Sequence, residues 1–483
     1  MTVLDEQIAM LDQAAALELS GRVAEVRGLS LRVADLPVPI GAMVRIRSNV
    51  QRSQSNVTGG GTSVDGEVVG FDRDQTIVMT LGDTAGIRAG DRVVAQQYAR
   101  LVRVGDSLLG RVLDGMGRPI DGKGPVPDTV PRPLCPEPID PLDRPLIDVP
   151  MATGVRAIDA LMSVGRGQRL GLFAGPGVGK STLLGMMARH TAADVSVIAL
   201  VGERGREVRD FIENHLGPQG LAGSVVICAT GDEPALLRIR AALVAATVAE
   251  YFRDQGKDVL LIMDSVTRFC QAQRQVGLAA GEPPATKGFP PSVFAMLPKL
   301  LERSGRTSRG SITGFYSVLV EGDDMTEPVA DAARGILDGH IVLGRRLAQR
   351  NHWPAIDVLD SISRVADEVT SAEHQVAKRE VVRLVNAYHE VEDLLNIGAY
   401  AAGSNPDYDL AIAARPAIDQ LLQQGRQEVK GKADFSRTSQ QLLALAQQLR
   451  QVKAQAGRGH ARTATSPGPP AHQANPAARS AVK

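Results

Sequence analysis

Lys180 and Ser181 close a glycine-rich run, Ala174-Gly-Pro-Gly-Val-Gly-Lys-Ser-Thr182. Those residue types in that order suit the holding of a phosphate chain. Gly175, Pro176, Gly177, Val178 and Gly179 make a turn whose backbone N–H groups converge on an anion, and the helix entered through Thr182 adds partial positive charge. The Lys180 ammonium is long enough to meet β- and γ-phosphates, and the Ser181 hydroxyl is a hard oxygen ligand for Mg²⁺. The flanks agree: an apolar run at 170–173 precedes the turn, as a strand should, and Leu183-Leu-Gly-Met-Met-Ala-Arg189 follows with the composition of a helix. Ala174 stands where the G-x-x-x-x-G-K-[ST] pattern has its first glycine. A chance glycine-rich turn lacks such flanks, so a nucleoside triphosphate with Mg²⁺ is the expected ligand.

Hydrolysis demands more than binding. It needs a carboxylate near the metal, a group that orients water, and a cation for the charge that develops in the transition state. Asp264 ends the wholly apolar run Val259-Leu-Leu-Ile-Met263. At a strand tip beside the phosphate turn it is placed to hold Mg²⁺ and its water, whereas in another setting such an Asp caps a helix. A second apolar run, Val197-Ile-Ala-Leu-Val201, leads into Gly202-Glu-Arg-Gly-Arg-Glu207. Glu203 is the expected general base or water-orienting group, with Arg204 reaching toward a γ-phosphate oxygen. Taken alone, the same charged run reads as a solvated, self-paired cluster.

Residue patterning outlines the elements that must position these groups. An apolar fraction of 43% supplies a core, and 54 basic residues against 54 acidic ones leave no net charge to draw the chain to nucleic acid or membrane. Aromatic residues make up 3%, too few for a base-stacking surface. Cys135, Cys228 and Cys270 lack metal-ligand spacing and read as reduced thiols of a cytoplasmic protein.

Residues 1–20 carry Leu4, Ile8, Leu11, Ala15 and Leu19 at helical spacing, an amphipathic helix. Short β-like runs broken by Gly, Asp and Pro predict a small antiparallel β-barrel over 21–97, with a glycine-rich loop at 51–63. Nine prolines between 124 and 150 mark the segment 98–150 as an extended connection. Over 151–370, candidate strands at 169–173, 195–201, 224–229, 258–263, 312–319 and 340–343 alternate with helical runs. That rhythm predicts an α/β P-loop core with a mostly parallel sheet. A helical domain follows over 371–453, and a disordered basic tail over 454–483, with no acid beyond Asp434.

Three motifs together resemble the rotary-type hexameric ATPases: Arg111-Val-Leu-Asp-Gly-Met-Gly-Arg-Pro119, Gly202-Glu-Arg-Gly-Arg-Glu207 and Asp357-Val-Leu-Asp-Ser-Ile-Ser-Arg364. Within that group, Gly281-Glu-Pro-Pro-Ala-Thr-Lys-Gly288 and Glu321-Gly-Asp-Asp-Met-Thr-Glu-Pro328 resemble the protein-export ATPases of the flagellum and of type III secretion. Asn396-Ile-Gly-Ala-Tyr400 leans toward the flagellar branch, and the likeness runs over roughly residues 20 to 450.

The resemblance implies a RecA-like core and ATP hydrolysis by a homohexamer with sites between subunits. It assigns Glu203 as the catalytic glutamate, Glu207 as a second acid orienting Mg²⁺ and water, and Arg364 as an arginine reaching a neighbour's site. Trp353 would stack on adenine and Tyr400 close its other face; alanine at position 174 is common in such relatives. Further implied are energised export of flagellar proteins, with cargo unfolding and chaperone release, and a cytoplasmic enzyme attached peripherally to the inner-membrane export gate. The implied partners are a stalk-like negative regulator on the N-terminal helix, a coiled-coil central stalk protein, and export chaperones and cargo at the C-terminal domain, but no nucleic acid.

Other classes fit less well. A non-catalytic, nucleotide-holding subunit of a rotary complex loses its water-activating carboxylate, and Glu203 is present. An RNA translocase needs a basic, aromatic N-terminal platform, and residues 20–97 hold only Phe71. The export-type segments at 281–288 and 321–328 speak against a proton-driven synthase subunit. A virulence-type secretion ATPase stays open as the alternative to a flagellar one.

Overall fold

The computed structural model describes residues 18–47, 63–97, 100–320, 322 and 324–463. Residues 1–17 of the expected helix over 1–20, nearly all of the loop 51–63, and residues 464–483 of the tail lie outside them; Ser20, the last residue of that expected helix, instead opens a strand.

Six strands form the N-terminal unit: β1 (Ser20–Arg27), β2 (Ser30–Ala34), β3 (Met43–Arg47), β4 (Ser63–Asp72), β5 (Gln75–Thr80) and β6 (Arg92–Gln97). They close in the order β1-β2-β5-β4-β3-β6, with β6 returning antiparallel to β1. Alternation along the strands turns Val23, Leu31, Val33, Val44, Ile46, Val68, Val78 and Val93 inward. Closure leaves no unpaired strand edge.

The core alternates strand and helix. Its elements are β7 (Val112–Leu113), β8 (Arg169–Ala174), α1 (Lys180–His190), β9 (Val195–Glu203), α2 (Gly205–Asp210), β10 (Ser224–Thr230), α3 (Ala235–Asp254), β11 (Asp258–Asp264), α4 (Val266–Ala279), α5 (Pro291–Leu301), β12 (Ser311–Leu319), β13 (Gly339–Leu343) and β14 (Ile356–Ser363). The sheet runs β14-β13-β8-β12-β11-β9-β10-β7. Its inner strands are covered on both faces, as their unbroken apolar runs require. Val197, Ala199, Leu261 and Met263 pack against one helical layer, and Ile198, Leu200, Leu260 and Ile262 against the other.

Strand polarity organises the function. From β8 to β13 every strand is parallel, so their carboxyl ends share one edge, with Ala174 level with Leu319 and Leu343, and Asp264 level with Leu200. β14 reverses: Ile356 pairs with Leu343, and Ser363 with Gly339 at the opposite edge. Helices α6 (Ala372–Asn396), α7 (Pro406–Leu422) and α8 (Phe435–Thr463) pack together after the sheet.

Two segments differ from their sequence reading. The connection 98–150 is not merely extended: residues 101–104 pair with 130–133, and β7 adds to the central sheet beside β10. A buried Arg111–Asp121 ion pair at 2.7 Å folds the intervening turn back on itself. Helix α8 continues to Thr463, ten residues into the expected disordered tail. The Ala, Gln and Arg residues of 454–463 favour the helix over the glycines at 457 and 459, and the next proline comes only at Pro467.

Barrel and core meet through buried charge. Glu67 on β4 accepts a hydrogen bond from Arg240 Nη1 of α3 at 3.0 Å and pairs with Arg100 of the connection; the Glu67 and Arg240 side chains are 3% and 5% exposed. Removing one partner strands the other's charge in a dry interface. Glu67→Ala should therefore lower unfolding stability by about 3–5 kcal/mol, measured by denaturant titration. A loss below about 1 kcal/mol would show the pair behaving like a solvated one.

Candidate active site

β8 ends at Ala174, the chain turns through 175–179, and α1 begins at Lys180. Val178 anchors the turn in the core at 2% exposure, while Pro176, Gly177 and Ser181 face outward and Thr182 is half-buried. Gly179 caps the helix with φ +87°, and a Cβ there would lie 2.9 Å from Trp353 Cζ3. Only glycine tolerates both the backbone angle and the ring. The Trp353 indole N–H donates to Asn351 Oδ1 at 2.7 Å, and the ring stays 38% exposed beside the turn. An aromatic surface is thus fixed next to the phosphate cradle, where a base can stack.

The strand tips supply the charges. Lys180 Nζ bonds Asp264 Oδ1 and lies 3.6 Å from Glu203 Oε1. Asp264 Oδ1 also accepts from Ser317 Oγ of β12 at 2.5 Å. Arg268, in the first turn of α4, brings its Nε within 3.4 Å of Glu203 Oε1. Its stem crosses Gly202, where a Cβ would sit 2.8 Å from Arg268 Cδ. Glycine at 202 is what lets a guanidinium approach this carboxylate.

Burial is the main cause that pushes the Glu203 carboxyl up to about 7, and the negative charge of Asp264 adds to it. Lys180 and Arg268 pull the other way. For the Lys180 ammonium burial works toward neutrality, but the charges of Asp264 and Glu203 outweigh it and raise its pKa. Glu203 Oε1 is buried without a hydrogen-bond partner. An acceptor left open at that depth is suited to a water brought in with a ligand. Asp264 and Glu203 both flank the Lys180 ammonium, and Ser181 follows Lys180 in the chain; hard oxygens of these types suit Mg²⁺.

Glu207, at the start of α2, is within side-chain hydrogen-bonding reach of Glu203 and adds to the upward push on that carboxyl. It also pairs with Arg204 at 3.3 Å, and the Arg204 side chain is 78% exposed. The remaining expected residues stand further out. The Tyr400 hydroxyl donates to Asn405 O at 3.1 Å, in its own loop, and is shared with Asp409 Oδ1 at 3.0 Å, in the following helix; its ring packs edge-on against Tyr408. None of its described contacts reaches Trp353 or the turn. Arg364 lies just past β14, exposed, with its N–H on Asp338 O at 2.9 Å and Nη2 on Arg334 O at 3.4 Å. Ser363 is level with Gly339, and the phosphate turn with Leu343. That separates Arg364 from the turn of its own chain by about 13 Å along the strands. Arg268 and Ser317 were not singled out by sequence. Arg268 follows Asp264 by one helical turn, which was the available signal, and Ser317 had none.

Models of known families match three segments. Residues 23–96 match the beta-barrel domain of the ATP synthase alpha/beta family, residues 154–363 its nucleotide-binding domain, and residues 370–451 the T3SS EscN ATPase C-terminal domain. The chain is 52% identical over 418 residues to the flagellum-specific ATP synthase of Treponema pallidum, covering 86% of this chain and 92% of that one. It is 49% identical over 424 residues to the type 3 secretion system ATPase of Xanthomonas euvesicatoria, covering 88% and 93%. Among solved structures, the assembled ATPase EscN in complex with its central stalk EscO, from enteropathogenic E. coli, superposes with a TM-score of 0.79 at 44% identity, covering 88% of this chain and all of that one. Fold, strand-tip carboxylates and these likenesses lead to one conclusion: the chain belongs to the family of flagellum-specific ATP synthases and type 3 secretion system ATPases, a branch of the ATP synthase alpha/beta family.

Proposed function

We propose that the chain hydrolyses Mg²⁺·ATP as a homohexameric ring, with each site completed by a neighbouring subunit, and that the ring energises export of flagellar proteins through a type III secretion apparatus. The convergence of Lys180, Asp264 and Glu203 at one sheet edge, with Arg364 at the other, carries this reading. One chain holds the phosphate half of a site and the arginine half of a different one.

Ser181 and Asp264 would hold Mg²⁺, which would supply charge neutralisation at the phosphates. Backbone N–H groups of 175–179 bind the phosphate chain, and Lys180 exchanges Asp264 for phosphate oxygens. Glu203 then orients a water in line with the γ-phosphate and accepts its proton, with Glu207 keeping that water in place. Arg204, exposed at the mouth, turns toward the γ-phosphate; a neighbour's Arg364 meets the equatorial oxygens with a planar, permanently charged group. Trp353 stacks on adenine, and Tyr400 covers the other face once its loop closes.

Among the described residues no helix is long and apolar enough to cross a membrane. Peripheral attachment to the inner-membrane export gate, a cytoplasmic location, a coiled-coil stalk in the ring, chaperones and cargo at the C-terminal helices, and a stalk-like regulator on the N-terminal segment belong to the same proposal. The 49% identity to a type 3 secretion system ATPase favours virulence-type secretion as the second reading.

Glu203→Gln should bind ATP normally yet lose about 10²- to 10⁴-fold in turnover, because only proton transfer and water placement are removed. Near-normal turnover would take Glu203 out of the mechanism. Since Glu203 titrates at about 7 and must be ionised to accept a proton, kcat/KM should climb through an acid limb centred near pH 7. A flat profile between pH 6 and pH 8 (about one unit either side) would contradict a Glu203 base. Mixing Arg364→Ala subunits with Lys180→Ala subunits should partly restore turnover. No restoration at any ratio, in confirmed hexamers, would mean that Arg364 does not act across the interface.

A further inference from the structure

Two leucines stand almost bare on a segment that is otherwise pinned. Leu142 is 95% and Leu146 85% exposed, the two highest values among the large apolar side chains described. Isolated exposed leucines are ordinary. These differ in the rigidity of their support. Asp140 accepts the Leu142 N–H at 3.0 Å and starts the short 3₁₀ turn Pro141–Asp143. Arg144, between the leucines, donates to Glu302 O at 2.8 Å and to Ser304 O at 3.3 Å. Arg306 donates to Leu146 O at 2.9 Å and pairs with Asp148, and the Val149 carbonyl accepts from Arg166 N at 2.9 Å. Burying Leu142 and Leu146 against a partner would therefore cost little ordering entropy.

Their place in the fold identifies the partner. Arg144 and Arg306 tie the strap to the turn just before β12, and Arg166 pairs with Asp258 at the start of β11. The strap thus runs along the amino-terminal edge of the parallel strands. Ile147 packs over Gly165, where Val365 and Val369 also meet it, immediately after Arg364. The leucines are continuous with the edge that presents Arg364. In a closed ring each subunit offers one face and receives a different one, so the Arg364 edge of one copy meets the phosphate-turn edge of the next.

We propose that the strap 140–148 is part of the subunit interface, with Leu142 and Leu146 buried against the neighbouring copy beside the shared nucleotide site. This rests on the reading of Arg364 as acting across that interface. The strap holds the two subunits together and takes no part in the chemistry.

The test uses the full chain carrying Leu142→Ser and Leu146→Ser together, with assembly followed by mass photometry across protein concentration in a non-hydrolysable ATP analogue. The assembly midpoint should rise about tenfold or more, while the melting temperature of the dilute subunit and the turnover per assembled ring stay near wild type. A midpoint within about twofold of wild type would overturn the proposal, whatever other protein the strap binds. Independently, p-benzoylphenylalanine at position 142 should give a covalent product between two copies on irradiation of the purified protein; its absence under assembling conditions would also overturn it. Failure of the Arg364 reading looks different. There, mixed Arg364→Ala and Lys180→Ala rings recover no turnover while the leucine variant still shifts the midpoint.

Discussion

Lys180 carries a buried positive charge that two carboxylates share. With its side chain 12% exposed, the ammonium depends on Asp264 and Glu203, and they depend on it. Holding two like-charged carboxylates close together in a dry site is costly, and the ammonium lying against both offsets that cost. The arrangement requires three strand ends at one height, a turn that aims a lysine across them, and a dry surround. Much of the central domain can be understood as the scaffold for that meeting: β8, β9 and β11 run parallel and adjacent or nearly so, and α1, α3 and α4 keep water from the sheet faces.

A parallel sheet also imposes a polarity that outlasts the single subunit. The glycine-rich turn, Lys180, Glu203 and Asp264 gather at the carboxyl edge, the edge where open α/β sheets bind their ligands. A reversed strand at the margin, β14, carries its last residues to the far edge. A chain with both features has two unlike sheet edges, which is the asymmetry that a head-to-tail ring requires. An antiparallel β14 is therefore as consequential as the phosphate turn, although it contributes no atom to its own site.

What could be read from sequence was what is local. The phosphate turn, Glu203 and Asp264 announce themselves because a strand, a tip residue and a turn or helix are consecutive in the chain. The βαβ rhythm was legible for the same reason, since inner strands are apolar throughout. Residues that meet only after folding were not. Arg268 approaches Glu203 because Gly202 leaves room, and Ser317 reaches Asp264 from a neighbouring strand. Glu67 and Arg240, 173 positions apart, gave no sign that they bind barrel to core. The motif ending in Arg364 was visible as a string of residues, but its direction relative to the sheet was not, and direction is what sets its distance from the turn. Tyr400 was singled out for the site, yet its described partners all lie in its own loop and helix, where Asn405 and Asp409 satisfy its hydroxyl.

The indole seated against Gly179 belongs to the chain's single tryptophan. Tryptophan emission from this protein therefore originates at one place, the rim of the phosphate turn, with no second emitter to dilute it. The fold has, without any label, an optical window on its own nucleotide pocket. Whatever settles against that ring, or moves Asn351 away from its N–H, changes the only tryptophan light the molecule gives off.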